Sequence, residues 1–261
     1  MRMLAHDVAG DGPAILLVHE GIADRRMWEP QVGPLADAGY RVVCCDLRGF
    51  GDSELTPGPF SNVGDLHELL AHLGIERVSL VGGSYGARVS LEYALTHPDS
   101  VDALVLMGPG LRDVEWSEEI VRFGEEEDAL LEAGDLDGAV ELNLRTWLAG
   151  PSRTADQIDP DVWERVGRMQ RRAFEVQLPV PDAGPDEPFD PPASARLGEI
   201  RFPVLIVVGD VDQPDILRVA DRLAAGIPGA RKEVISGTAH MPSLEKPDEF
   251  NRLLLEFLQT A

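Results

Sequence analysis

Short, almost wholly apolar runs recur along the chain: Ala14-Ile15-Leu16-Leu17-Val18, the stretch from Tyr40 to Asp46, Arg77 to Val81, Val101 to Met107, and Pro203 to Val208. A continuous apolar run such as Ala14 to Val18 predicts a strand covered on both faces. Between these runs the pattern changes to helical spacing. Met27, Trp28, Val32, Leu35 and Ala36 form one such face, residues 62 to 73 a second, Val89 and Tyr93 with Leu91 and Ala94 a third, and residues 214 to 225 a fourth. A strand over Arg231 to Ile235 and an amphipathic helix over Leu244 to Leu258 close the pattern. Strand alternating with helix predicts an α/β protein with a mostly parallel sheet and helices on both faces. At the start, Met3 to Val8 and Ala14 to His19 flank the turn-rich Gly10-Asp11-Gly12-Pro13, which predicts that these two strands pair antiparallel.

The rhythm breaks between Leu111 and Arg196. Helical patterns cover residues 117 to 133, 136 to 148 and 161 to 176, no strand is predicted, and a proline-rich tract from Pro179 to Pro192 leads back to the core. The expected organisation is therefore a core of residues 1–110 and 197–261, with residues 111–196 as a helical insertion over the strand ends and a stiff return. Trp116, Phe123, Trp147, Met169 and Phe174 are its own core or face a pocket beneath it.

At 261 residues the chain is long enough for one large domain with an insertion. Its net charge of −23 speaks against nucleic-acid and anionic-membrane partners but does not define a substrate; a small-molecule substrate is expected from the candidate chemistry instead. The oligomeric state is not legible. Cys44 and Cys45 are adjacent, so in a strand they point to opposite faces and do not bridge; two buried thiols suit a reducing cytoplasm. The start, Met1-Arg2-Met3-Leu4-Ala5-His6-Asp7, carries charge where a signal peptide needs an apolar stretch, and no run is long enough to span a bilayer.

Candidate chemistry centres on Val81-Gly82-Gly83-Ser84-Tyr85-Gly86-Ala87, a G-x-S-x-G turn between a strand and a helix. The chain reverses so tightly there that side chains two residues either side of the serine would collide with strand and helix. Small residues lift the Ser84 hydroxyl clear, and the Tyr85 amide at the helix start points where negative charge would develop. A serine needs a base, and the base an orienting carboxylate. Of six histidines, His240 alone sits in a glycine-containing loop directly after a late strand, on the sheet edge where α/β proteins bind ligands. Val208-Gly209-Asp210-Val211-Asp212 ends another strand and offers Asp210 or Asp212 as the acid in the order serine, acid, histidine.

These segments, with Leu17-Val18-His19-Glu20-Gly21, Asp46-Leu47-Arg48-Gly49-Phe50-Gly51-Asp52-Ser53 and Gly237-Thr238-Ala239-His240-Met241-Pro242, resemble the α/β-hydrolase superfamily. The likeness covers nearly the whole core and points to the capped group of esterases, enol-lactonases, carbon–carbon bond hydrolases and cofactor-free haloperoxidases. It implies an α/β-hydrolase fold with a helical cap inserted after the sixth family strand. It further implies a catalytic Ser84, Asp212 and His240 and an oxyanion hole from the Gly21 and Tyr85 amides. No metal or organic cofactor is expected, because the sequence has no cysteine/histidine cluster at ligand spacing and no glycine-rich phosphate loop. Glu20 stands where the family has glycine, and Gly83 where it often has histidine or glutamine. A serine at the elbow disfavours dehalogenase and epoxide-hydrolase chemistry, which uses aspartate. The expected activity is hydrolysis of a small ester or lactone through an acyl-enzyme. Carbon–carbon cleavage or perhydrolysis with the same residues is the alternative, and a ligand sensor without turnover a third. An ordinary histidine base predicts an acid limb in kcat/KM at roughly pH 6 to 7.

Overall fold

A computed structural model describes residues 3–261, so Met1 and Arg2 of the charged start lie outside the described residues. The strands are β1 (His6–Ala9), β2 (Ala14–Val18), β3 (Arg41–Cys45), β4 (Gly58–Phe60), β5 (Val78–Gly83), β6 (Val101–Met107), β7 (Ala183–Asp186), β8 (Val204–Gly209) and β9 (Arg231–Ile235). Seven of them form one sheet in the order β1-β3-β2-β5-β6-β8-β9, parallel throughout except where β1 meets β3. The helices are α1 (Glu29–Asp37), α2 (Asn62–His72), α3 (Tyr85–Thr96), α4 (Glu118–Glu132), α5 (Leu136–Asn143), α6 (Pro160–Gln177), α7 (Pro214–Gly226), α8 (Pro242–Glu245) and α9 (Pro247–Leu258).

Alternate residues of each buried strand feed two separate cores, as the period of a strand requires. Leu16, Val18, Leu80, Leu104 and Ile206 face one core, with α2, α3 and α7 packed over it. Ile15, Leu17, Val81, Val105 and Val207 face the other, under α1 and α9. Cys45 belongs to the first core and Cys44 to the second; both are free, and burial pushes both thiols up, Cys44 to about 12. Neither is a nucleophile in that state.

Three local expectations are corrected. β1 does not pair with β2; it runs antiparallel to β3, with His6 opposite Cys45. The reason is burial: β2 is apolar on both faces and takes an interior place between β3 and β5, while half-polar β1 serves as the edge. The long insertion does hold a strand, since β7 pairs with β4 as a small parallel ribbon apart from the main sheet. Neither segment has the alternating pattern that marks a strand. The closing helix breaks at Lys246-Pro247 into α8 and α9, because a proline cannot continue the hydrogen-bond ladder.

Residues 111–196 lie between β6 and β8 and carry α4, α5 and α6. Ala139, Val140, Leu144, Leu148, Val166, Met169 and Phe174 from this segment join the α1/α9-side core. The segment is also tied to the loops beyond the sheet edge: the Gln213 Nε2 donates to the Thr146 carbonyl at 2.7 Å, and the His240 amide to the Trp147 carbonyl at 3.4 Å.

Candidate active site

The turn after β5 holds Ser84 at φ 49° and ψ −108°, the one non-glycine residue with positive φ among those described. Such a backbone costs on the order of 1–3 kcal/mol and persists only where its surroundings enforce it. Here they do. A Cβ added at Gly82 would lie 2.4 Å from the Gly86 carbonyl oxygen, and one at Gly86 would lie 2.4 Å from those of Val18 and His19. The glycines of the motif are required by contact between backbones, and the serine is pinned between β5 and α3 with its amide donating to the Met107 carbonyl at 2.8 Å.

His240, 156 residues away in sequence, brings its Nε2 to 2.7 Å from the Ser84 Oγ. Its Nδ1 lies 2.9 Å from Asp212 Oδ2. Asp212 is itself fixed, its Oδ1 accepting from the Gln213 amide at 2.7 Å. Both partners are almost wholly buried. Asp210, the other carboxylate at that strand end, turns outward and accepts from the Gly237 amide, so it shapes the histidine loop without touching the ring. The arrangement has an acceptor for the Ser84 proton and a carboxylate behind that acceptor, the relay needed to make an alcohol nucleophilic.

Gly21 follows β2 and reaches the same spot; a Cβ on it would stand 3.6 Å from the Tyr85 Cβ. Tyr85 opens α3, so its amide has no carbonyl four residues back in the helix to bond. The loop that carries Gly21 is braced by His19, whose Nδ1 donates to the Glu20 carbonyl at 2.7 Å while its Nε2 accepts from the Leu47 amide at 2.9 Å. Accepting at Nε2 requires a neutral ring, and burial lowers its pKa accordingly. The bracing role of His19 was not predicted; its place directly after an apolar strand was the available signal.

The two departures from the family pattern turn out to be one feature. A Cβ at Gly83 would sit 2.7 Å from Glu20 Cγ, so the glycine makes room for the glutamate. Glu20 is fully buried, and neither carboxyl oxygen has a hydrogen-bond partner. Burial raises it to about 8 against the pull of His240, with Asp212 and Glu245 adding to the rise. At neutral pH it is therefore an uncharged acid, and a proton keeps it from opposing negative charge that develops beside Ser84.

Burial alone would lower His240. The adjacent Asp212 carboxylate overrides that, with Glu20 and Glu245 assisting, and lifts the imidazole to about 9. The expectation of an ordinary histidine is thus revised upward. A base works only when neutral, so kcat/KM should fall as the pH drops through a midpoint above 6.5, the ordinary histidine value. Glu20 loses its own proton below the pH at which His240 does, so Glu20→Gln removes a charge that favours the imidazolium at that midpoint and should move it down by roughly half a unit to one unit. A pH profile of both proteins checks this; a wild-type midpoint at or below the ordinary value, unmoved in the variant, would refute it.

Ser84 and His240 open into a cavity of about 240 Å³ that is also lined by Glu20, Gly21, Ile22, Phe123, Glu127, Asn143, Trp147, Gln170, Phe174 and Gln177. Of the insertion's aromatic residues, Phe123, Trp147 and Phe174 line it, and the Trp147 ring stands 4.9 Å from that of His240. Met169 is core, and Trp116 borders a separate, larger surface groove of about 630 Å³ that holds none of these groups. Arg145, Arg171 and Arg172 do not line the cavity; they engage Glu141, Asp137 and the Gly51 carbonyl.

The sheet, the elbow and the loops beyond its edge define the class: the chain belongs to the α/β-hydrolase family of enzymes, whose sequence profile, described as alpha/beta hydrolase fold, matches residues 13–247. Among curated proteins it is 29% identical over 264 residues to the 2-hydroxy-6-oxo-6-phenylhexa-2,4-dienoate hydrolase of Comamonas testosteroni, covering 98% of this chain and 91% of that one. It is 30% identical to a 2-hydroxy-6-oxononadienedioate/2-hydroxy-6-oxononatrienedioate hydrolase of Paraburkholderia phymatum, over 99% of this chain and 91% of the other. Among solved structures it resembles a thermophilic esterase from Thermogutta terrifontis, with a TM-score of 0.78, 26% identity and coverage of 98% and 93% of the two chains.

Proposed function

We propose that the protein hydrolyses a small ester or lactone through an acyl-enzyme formed on Ser84. His240 takes the serine proton as the oxygen attacks the carbonyl, and Asp212 holds the resulting imidazolium. The Gly21 and Tyr85 amides receive the oxyanion. His240 then returns the proton to the leaving alcohol and draws one from the water that frees the acid. Residues 111–196 serve as the cap over this chemistry and supply most of the cavity wall, and residues 1–110 and 197–261 serve as the core. The observation that carries the reading is the unbroken line of contacts from Asp212 through His240 to Ser84, at 2.9 and 2.7 Å, ending at a cavity. The two buried thiols fit a reducing compartment, and we place the enzyme in the cytoplasm.

Carbon–carbon cleavage is the second reading, favoured by curated relatives that are named for dienoates. A dienoate carries a carboxylate, which proteins commonly hold with arginine or lysine. Among the described residues no arginine or lysine lines this cavity, and two glutamates do. That contrast supports the ester reading. The test is labelling of the intact protein by a fluorophosphonate, with the modified residue mapped, followed by turnover of short p-nitrophenyl esters and of a dienol-diketone carboxylate. Modification of Ser84 and turnover of the esters are expected. Turnover of the diketone alone would replace this reading by the second, and an unmodified Ser84 would remove both.

A further inference from the structure

The cavity wall has a chemistry the serine mechanism does not use. Away from Ser84 and His240 it presents two carboxyl groups, Glu20 and Glu127, three amide side chains, Asn143, Gln170 and Gln177, and three aromatic rings, Phe123, Trp147 and Phe174. Glu127 accepts from Asn143 Nδ2 through one of its oxygens. Gln170 is only 4% exposed, and its Oε1 is buried without a partner. Both oxygens of Glu20 are in the same condition at the floor. Buried polar atoms are nearly always hydrogen-bonded, so the unmet Gln170 oxygen and the unmet Glu20 carboxyl around one cavity indicate that whatever enters it is polar or charged.

The occupant can be specified further. His240, at the reacting end, is the only basic side chain lining the cavity among the described residues. Away from His240, an anionic group would meet Glu127 with no arginine or lysine beside it, whereas a cation would meet carboxyl groups, amide oxygens and ring faces together. Phe123 and Trp147 stand edge to face, their centroids 5.5 Å apart, and so form a rigid aromatic wall. The net charge of −23 also raises the local concentration of cations around the molecule. We propose that the cavity takes an ester bearing a protonated or quaternary amine on the part remote from the scissile bond, with Glu127, Gln170 and the aromatic wall as its specificity residues. This rests on the serine-hydrolase reading for the ester, but the cation site itself stands on the wall.

Three butyryl thioesters of nearly equal size separate the possibilities: one of thiocholine, one of its neutral isostere with a tert-butyl group in place of the trimethylammonium, and one of a thiol ending in a carboxylate. Their affinities for the Ser84→Ala protein, measured by calorimetry, read the cavity without turnover. The thiocholine ester should bind about tenfold more tightly than the neutral isostere, and the carboxylate more weakly than either. Adding Glu127→Gln, which keeps an acceptor for Asn143, should bring the cation-to-neutral ratio down severalfold. Equal or weaker binding of the cation, or no binding of it at millimolar concentration, overturns the proposal even if Ser84 of the unmutated protein is labelled by a fluorophosphonate. An intact affinity ratio with no labelling would leave the cation site standing and overturn the hydrolase reading alone.

Discussion

Ser84→Ala should lower kcat for an activated ester by about 10⁶, because among the described residues it is the Ser84 hydroxyl that stands at 2.7 Å from the His240 Nε2 to be deprotonated. Acyl-enzyme formation is lost, and what remains is the small acceleration given by binding and the oxyanion donors. Alanine keeps a Cβ at φ 49°, so the strain of the turn and the packing around it are unchanged. Urea unfolding of the variant should accordingly match wild type, which separates lost chemistry from a lost fold. Steady-state rates with a p-nitrophenyl ester and the urea midpoint together make the check. A variant within tenfold of wild type would mean that another group attacks.

The second large effect concerns the acid. Asp212→Asn should reduce kcat by about 10⁴ with little change in stability. The carboxylate accepts from Nδ1–H of His240 at 2.9 Å, which leaves Nε2 free to take the serine proton. An asparagine turned to donate would favour the other tautomer, with hydrogen on Nε2, and the base would face Ser84 with its acceptor filled. Asp210→Asn is the informative companion. That carboxylate accepts from the Gly237 amide and does not touch the imidazole, so its loss should cost less than tenfold. Rates for the two variants side by side decide between the two carboxylates; a larger loss at 210 than at 212 would reverse the assignment.

Much of this was legible in the chain because the relevant information is local. The apolar runs of β2, β3, β5, β6 and β8 have the length and continuity of strands covered on both sides, and the two cores take alternate residues from each. The glycines around Ser84 announce a turn too tight for side chains, and the distances at Gly82 and Gly86 give the reason. Where the reading went astray, local pattern was a poor guide. The tract containing β7 looks like a proline linker, and only its pairing with β4 makes it a strand. The sequence also fails to say that β1 belongs beside β3, since a turn between two strands limits their separation and not their neighbours.

By itself, then, the sequence determined the α/β alternation, the long helical interruption and the tight glycine turn at Ser84, because strand length, helical period and backbone crowding act over a few residues. Tertiary structure alone decided which aspartate stands behind the imidazole, that Glu20 occupies the space Gly83 vacates, and which aromatic side chains reach the cavity. Those outcomes depend on distances between segments far apart in the chain, and such distances are set by how two cores pack on one twisted sheet.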